Sequence, residues 1–229
     1  MDYLSILHAK LDAFAALLDA DVDLSLPVVH CGAWTLYDLV DHVGRGGLWV
    51  ATAVAEKRGD YVGEPAPTDL PELRPWLADT SAAMLGALAA DPATEAWTFT
   101  PPHTVGFWRR RRAQETLMHL WDAEHALGVA RPFDRALAAD GVSEVFELFA
   151  PRMIARGLAS EPETALRVTA ADIGESWTYG PGEPVAEITA PVSDLLLLLW
   201  GRASSSDGAM TWQGDRAAGQ RVLDGPLVP

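Results

Sequence analysis

The chain has 229 residues and carries 32 acidic against 17 basic side chains, which gives a formal net charge of −15. An acidic surface repels phosphate backbones, so this charge argues against nucleic acid as a partner. Hydrophobic residues make up 49% of the chain and charged residues 21%. This balance is that of a globular protein, long enough for one large domain or two small ones.

The start of the chain and its apolar runs predict neither secretion nor membrane insertion. Met1 to Leu4 lack the basic region and apolar core of a signal peptide. The longest strongly apolar run, Leu195 to Trp200, is far shorter than the roughly 20 residues that span a bilayer. Cys31 is the single cysteine, so an intrachain disulfide is impossible and a Cys-based zinc site is excluded. We therefore expect a cytoplasmic protein with no membrane partner.

Four amphipathic helices are predicted in the first 130 or so residues. A Thr-x-x-Asp start precedes the apolar run of the second, and Gly128 is placed to end the fourth. The predicted helices are Asp2 to Ala20, one opened by Thr35, Leu73 to Ala89, and one that includes Arg109 to Asp122 and ends near Leu127. Four such helices with two long connections indicate a bundle, in which metal sites are built from side chains on facing helices.

The hydrophobic period changes after a predicted hinge at Arg131 to Phe133. One more helix is expected first, and alternating apolar residues then predict strands separated by Gly and Pro turns. The predicted elements are a helix over Ala136 to Arg156, strands around Leu166 to Ala170, Trp177 to Tyr179 and Val185 to Ile188, a buried helix over Val192 to Trp200, a strand over Met210 to Gln213, and a helix capped by Asp215. The second half is therefore predicted to be a small α+β domain.

Glu115 and His119 are four residues apart in the fourth helix, so their side chains share one face, and Asp122 follows three residues later. A carboxylate and an imidazole one turn apart can bind one divalent metal. Two His and one Glu with an open position form a known catalytic zinc shell. An amphipathic helix with a solvated Glu/His/Asp face produces the same pattern, so the spacing alone leaves both interpretations open.

His42, at the edge of the apolar face of the second helix, is the candidate third ligand. Asp38 lies one turn before it and is a candidate acceptor for its other ring N–H. A histidine at the boundary of the core is the alternative. Gly44, Gly46 and Gly47 cost helix stability, and one use for them is the close approach of a neighbouring helix or a ligand.

Three segments, in the same order, resemble one known family. Trp34 to Val43 resembles its W-[ST]-x-x-D-L-x-x-H-[VL] opening, and Arg112 to Ala123 its R-x-x-E-x-x-x-H-x-W-D-A segment. Leu195 to Arg202, with the later Gly214-Asp215, is similar to its C-terminal domain. The family is that of the mycothiol-dependent maleylpyruvate isomerases, and the resemblance extends over nearly the whole chain.

The resemblance implies an α+β fold with two domains. Residues 1–133 would form a DinB-like metal-binding four-helix bundle, and residues 134–229 a smaller C-terminal α/β domain of sterol-carrier-like kind. The zinc ligands would be His42, Glu115 and His119, with water at the open position. The cofactor thiol would be mycothiol, which implies an actinobacterial source.

The resemblance also implies the chemistry. A thiol bound to Zn²⁺ is deprotonated near neutral pH, and the thiolate is the nucleophile. In an isomerase it would add to a conjugated cis double bond, allow rotation and leave again, whereas an S-transferase would use another electrophile.

Two further residues are assigned to this site. Arg202 matches the family's Gly-Arg and is the candidate catalytic and cofactor-binding residue, because a guanidinium binds a carboxylate of substrate or thiol bidentately. A surface arginine is the alternative. Trp49 is expected to line the cofactor pocket. The run Arg109 to Arg112 is expected to straddle the helix start and to pair with acidic residues, although Arg109 or Arg112 contacting the ligand is the alternative.

We therefore expect a zinc-dependent enzyme with mycothiol and a small molecule as its partners. A non-catalytic metal-binding or small-ligand-binding protein, a sensor or carrier, is the first alternative, and a bundle without metal is the second. Imidazole and carboxylate also bind nickel, iron and manganese, so the sequence leaves the metal open. It also leaves open the electrophile and whether the protein is a monomer or a homodimer.

Overall fold

The computed structural model describes residues 1–18 and 21–229. The chain divides into two compact units, Met1–Arg131 and Pro132–Pro229, each described here by itself. The first is helical and the second combines helices with a four-stranded sheet, so the predicted α+β class is confirmed. The domain boundary after residue 133 stays a prediction. Within the described residues, no helix is both long and apolar enough to cross a membrane.

The helices of the first unit are α1 (Tyr3–Ala16), α2 (Leu36–Ala55), α3 (Leu70–Leu88) and α4 (Val105–Ala126). Helices α1 and α2 each pack against both α3 and α4, so the four form a bundle around one apolar core. The four predicted helices are confirmed, with shifted ends. Helix α1 ends at Ala16, whereas its predicted end at Ala20 lies outside the described residues.

A capping box starts α2. The Thr35 hydroxyl accepts from the Asp38 backbone N–H, and the Asp38 carboxylate accepts from the Thr35 backbone N–H at 2.7 Å. These hydrogen bonds confirm the predicted helix start. The Asp38 carboxylate makes its hydrogen bonds to Thr35 and none to His42 within the described residues, so the expectation that it orients the ring of His42 is wrong.

Two glycines of α2 allow α3 to approach closely. A Cβ on Gly44 would lie 2.3 Å from the Trp76 ring, and one on Gly47 would lie 3.3 Å from the backbone oxygen of Thr80. The predicted close approach of a neighbouring helix is therefore confirmed at these two positions. The glycine-bearing face of α2 therefore packs against α3. His42 lies on the side of α2 that faces α4.

Helix α4 begins earlier than predicted because Thr104 caps it by accepting from the backbone N–H of Phe107. The expectation that Arg109 to Arg112 straddle the helix start is therefore wrong, since all four lie inside the helix. Arg111 and Arg112 are buried. The alternative of a solvated Glu/His/Asp face is excluded as well, because both His119 and Asp122 are buried.

The second unit begins with α5 (Arg135–Glu144), a π-helical turn (Val145–Phe149) and α6 (Ala150–Ala155), where one helix was predicted. Pro151 explains the interruption, because it has no N–H and its ring clashes with the carbonyl four residues earlier. The preceding N–H, that of Ala150, instead reaches back five residues to Val145. A single π-helical turn therefore joins α5 to α6.

The sheet is built from β1 (Ala165–Ala170), β2 (Glu175–Tyr179), β3 (Pro184–Ala190) and β4 (Thr211–Gly214). Their order across the sheet is β2-β1-β3-β4. Strands β1 and β3 are parallel at the centre, and the two edge strands are antiparallel to them. Helices α7 (Val192–Leu199) and α8 (Arg216–Leu223) pack on this central pair. All four predicted strands and both predicted helices are confirmed.

Candidate metal centre

Helices α2 and α4 bring His42, Glu115 and His119 together. Their potential ligand atoms all lie within 4.8 Å of one another, and Nε2 of His42 is 3.3 Å from Oε1 of Glu115. The rings of His42 and His119 meet edge to face with centroids 4.9 Å apart. Two imidazoles and a carboxylate at this separation can converge on one divalent ion with bonds of about 2 Å. Their assignment as metal ligands stays a prediction, because close approach alone does not establish binding.

Two buried arginines keep Glu115 ionised. Burial raises the pKa of this carboxyl, but the Arg112 charge, the hydrogen bond with His42 and the Arg111 charge together hold the pKa well below its usual range. Nη1 of Arg112 is 2.9 Å from Oε1, and Nε of Arg111 is 3.7 Å from Oε2. The carboxylate is therefore anionic at neutral pH, as a metal ligand must be.

His119 is held by Asp122. Its Nδ1 lies 3.1 Å from Oδ2 of Asp122, a side chain that is 1% exposed. An ionised carboxylate only accepts hydrogen bonds, so Nδ1 carries the proton and Nε2 keeps its lone pair for a ligand. Burial lowers the pKa of His119 more than the Asp122 hydrogen bond raises it, so the ring is neutral. The sequence placed Asp122 on this face but did not assign it this contact.

Cys31 offers a second set of donors that shares His119. The thiol donates to Oδ2 of Asp122 at 3.5 Å, and Cys31, His119 and Asp122 also have ligand atoms within 4.8 Å of one another. The exclusion of any Cys-based site is therefore wrong as stated, because one cysteine can complete a mixed donor set. The two donor sets differ in the charge of their ligands and in how far those ligands are buried. Substitutions at residues that the two sets do not share can distinguish them.

Trp49 lines a cavity of about 260 Å³ beside His42, and the walls of this cavity also include Arg45, Gly46 and Tyr61. Its indole Nε1–H donates to the Gly59 backbone oxygen at 2.9 Å. The ring also packs edge to face against two other tryptophans. Trp49 thus has a structural contact on one side and a cavity on the other, and its contact with a cofactor stays a prediction.

Arg202 lies just after α7 in the second unit. Its Nη1 donates to the Trp200 backbone oxygen at 2.7 Å, and the guanidinium carbon is 5.7 Å from the centre of the Trp200 ring. Gly201, with φ of +71°, allows the chain to turn there, and the Arg202 N–H closes the helix by donating to Leu197. The role of Arg202 in binding a carboxylate stays a prediction.

The other arginines of α4 have identifiable partners. Arg109 donates to the backbone oxygens of Leu88 and Ala90, at 2.9 Å each, and so caps the end of α3. Arg112 packs against Gly46, where a Cβ would lie 2.9 Å from its Nη1. Arg109 therefore has a structural role, whereas Arg112 belongs to the candidate metal centre.

Two family models match the chain. The one described as the mycothiol maleylpyruvate isomerase N-terminal domain matches residues 4–124, more than half of the 229. The chain belongs to the mycothiol maleylpyruvate isomerase family. A second model, described as the MDMPI C-terminal domain, matches residues 136–221. The predicted family is confirmed, and at the level of the family so is the prediction of an enzyme.

Two solved structures are similar over nearly the whole chain. The crystal structure of the mycothiol-dependent maleylpyruvate isomerase has a TM-score of 0.69 and 16% identity, and the match covers 92% of this chain and 91% of that one. The structure of a histidine-to-alanine mutant of that enzyme has a TM-score of 0.70 and 14% identity, with the same coverage. At such low identity these likenesses show a shared fold. No protein in the curated collection matches.

Proposed function

We propose that this chain is a metal-dependent enzyme, with zinc as the expected ion, that activates mycothiol for addition to a small electrophile. The reaction would be either a maleylpyruvate-type cis–trans isomerisation or a mycothiol S-transfer. The observation that carries the proposal is the convergence of His42, Glu115 and His119 from two helices, in a chain that belongs to this family.

The donor chemistry fits a zinc ion. The proposed ligands are two imidazoles and one carboxylate, and such a set would leave a fourth position for a thiol or a water molecule. Bound zinc lowers the pKa of a thiol ligand and so supplies thiolate near neutral pH. Nickel, iron and manganese accept the same donors, so the metal is to be measured rather than assumed.

The protein's own groups prepare the site. Asp122 fixes the His119 tautomer, with Nδ1 protonated and Nε2 available as a ligand. Arg112 and Arg111 hold Glu115 in its anionic form. Trp49 and the adjoining cavity beside His42 offer space for an organic ligand next to the proposed ion. The proposed role of Arg202, which matches the Gly-Arg of the family, is to bind an anionic group of the substrate or thiol.

The test combines metal analysis with a reaction. Protein purified without chelator is analysed for zinc, nickel, iron and manganese, and is then mixed with mycothiol and either maleylpyruvate or a panel of thiol acceptors. We expect about one equivalent of metal, formation of the trans isomer or of an S-adduct, and loss of either product after treatment with a chelator.

Two alanine variants distinguish the two donor sets. Since His119 belongs to both sets, His42→Ala and Cys31→Ala are the informative pair. We expect His42→Ala to lose metal and activity while Cys31→Ala keeps both. The opposite result would place the ion at Cys31, His119 and Asp122 instead. A metal-loaded protein that turns over none of the electrophiles would indicate a sensor or carrier, and a metal-free protein would contradict the proposal.

The physiological electrophile, the cytoplasmic location, the actinobacterial source and a monomeric or homodimeric state all stay predictions. The two candidate reactions are separated by their products. An isomerase returns free mycothiol after each turnover, whereas an S-transferase consumes one thiol for each adduct. Measuring free thiol during the reaction therefore decides between them.

A further inference from the structure

A row of side chains on α2 holds the segment of residues 59–66 against the helix. The Tyr37 hydroxyl donates to the Ala66 backbone oxygen at 2.7 Å, and Oδ1 of Asp41 accepts from the Ala66 backbone N–H at 2.8 Å. The Trp49 indole N–H donates to the Gly59 backbone oxygen at 2.9 Å. These three residues are spaced by multiples of four, so they lie along one face of the helix.

Arg45 is the remaining member of this row, between Asp41 and Trp49, but it does not bond to the segment. Its side chain lines the open cavity of about 260 Å³ between α2 and residues 61–63 of the segment. Nη1 is 3.6 Å from Oδ2 of Asp41, and Nε is buried without a hydrogen-bond partner among the described residues. The Arg45 side chain as a whole is 41% exposed, so the guanidinium is accessible to a ligand in the cavity.

The composition of the cavity indicates what kind of ligand it takes. Among the described residues that line it, Arg45 is the one arginine or lysine, and the remaining walls are His42, Gly46, Trp49, Tyr61, Val62 and Gly63. One guanidinium matches one carboxylate, because its planar fork donates two parallel hydrogen bonds. The volume is suited to a small organic acid.

The position of the cavity relates it to the candidate metal centre. Arg45 is three residues after His42 in α2, so the two side chains share a face, and both line this cavity. A carboxylate on Arg45 would therefore lie beside the proposed ion. The other charged partner, Asp41, is occupied by the Ala66 backbone N–H, so it holds the segment and the arginine in place at the same time.

We propose that Arg45 binds a carboxylate of the electrophile and thereby selects acids over neutral acceptors at this site. The inference rests on the proposed function, because it places the electrophile in the cavity next to His42. It assigns the anion-binding role within the first unit to a residue of α2, separately from Arg202.

Calorimetric titration with maleate tests this role, with dimethyl maleate as its uncharged counterpart and without thiol, so that no addition occurs. Wild type is compared with Arg45→Gln, Arg45→Lys and the matched control Arg58→Gln, which removes an exposed positive charge outside the cavity. We expect Arg45→Gln to weaken maleate binding about ten- to a hundred-fold and to leave dimethyl maleate unchanged. Arg45→Lys should keep part of the preference, and Arg58→Gln all of it.

Each protein is titrated both as purified, with its metal content measured, and after removal of the metal. If Arg45→Gln binds maleate as tightly as wild type does, or if wild type does not bind maleate, the inference is overturned. The proposed function is tested separately, by metal content and thiol addition in wild type. Suppose that the wild-type protein proves inactive and metal-free, but that Arg45→Gln still loses its preference for maleate. That result would support Arg45 as the carboxylate-binding residue and contradict the proposed enzymatic function.

Discussion

Helices α4 and α7 are both buried, but they are built from different kinds of residues. Helix α7 buries Val192, Leu195, Leu196 and Leu199, and its burial is explained by the hydrophobic effect alone. Helix α4 buries seven polar or charged side chains along its 22 residues, namely Arg111, Arg112, Gln114, Thr116, His119, Asp122 and Glu124. Charged groups are almost never fully buried unless they are paired.

The buried charges of α4 lower the stability of the fold relative to apolar side chains, whereas α7 has no such cost. Removing charges from water is expensive, and pairing them inside a protein roughly compensates for that expense. An all-apolar α4 would therefore serve the bundle equally well or better as structure. Four of the buried polar side chains instead lie at one place: Arg111 and Arg112 contact Glu115, and Asp122 contacts His119, beside His42 of α2. Glu124 pairs elsewhere, with Arg131. This selective cost supports a chemical role for α4 and a packing role for α7.

The largest expected effect is that of removing the charge at the centre of α4. In Glu115→Gln, buried Arg112 loses the carboxylate at 2.9 Å, so the free energy of unfolding of the metal-free protein should fall by about 3 kcal/mol. Metal binding should be lost as well, because Glu115 is one of the three proposed ligands. Chemical denaturation and metal analysis measure the two effects. Asp79→Asn, at an exposed position of α3, is the control. A Glu115→Gln protein with wild-type stability would show that the Glu115–Arg112 pair does not stabilise the fold.

Truncation in α7 should affect stability alone. Leu196 is 1% exposed, and Leu196→Ala should lower the free energy of unfolding by about 3 kcal/mol through lost burial and a residual cavity. Metal affinity should be unchanged within error. Leu198→Ala, at a partly exposed position of the same helix, should cost less. If metal affinity fell tenfold in Leu196→Ala, the division between a chemical helix and a packing helix would be wrong.

A smaller effect is expected at the carboxylate that orients His119. Asp122→Asn replaces the ionised acceptor of the Nδ1 proton by a neutral one, so metal affinity should fall about 10- to 100-fold. Competition with a chromogenic chelator measures the change. Cys31→Ala removes the other side chain that contacts this carboxylate and should leave the affinity unchanged. Equal affinities for Asp122→Asn and wild type would assign Asp122 a purely structural role.

The smallest effect is expected at the N-terminal cap of α2, where the Asp38 carboxylate accepts from the Thr35 backbone N–H and does not contact the candidate metal centre. The hydrogen bonds from the Thr35 backbone N–H and hydroxyl lower the pKa of Asp38, so Asp38→Asn should cost about 1 kcal/mol at pH 7. A depressed folded-state pKa stabilises the protein above the unfolded value, about 3.9 for Asp, and this contribution is lost as pH falls through the folded-state pKa. The difference between the two proteins should therefore disappear in acid. A difference that persists at low pH would contradict this assignment.

Much of the fold could be predicted because it depends on local periodicity. The four helices of the first unit and the four strands of the second follow from apolar spacing and turn residues, and the cap at Thr35 follows from one tetrapeptide. The pairing of Glu115 with His119 on one face also follows from the helical repeat. Element ends were less accurate, since the cap at Thr104 starts α4 before the predicted arginine run.

The sequence by itself therefore determined the elements, the faces of the helices and the family of the chain, because these depend on residues a few positions apart. The tertiary structure decided which partner each polar side chain takes. It assigned Asp38 to the cap, Asp122 to His119 and Arg112 to Glu115, and it left Arg45 facing a cavity. The physical reason is that burial, and not spacing, sets whether a charge is solvated or must find a partner, and burial is known only when the helices are packed.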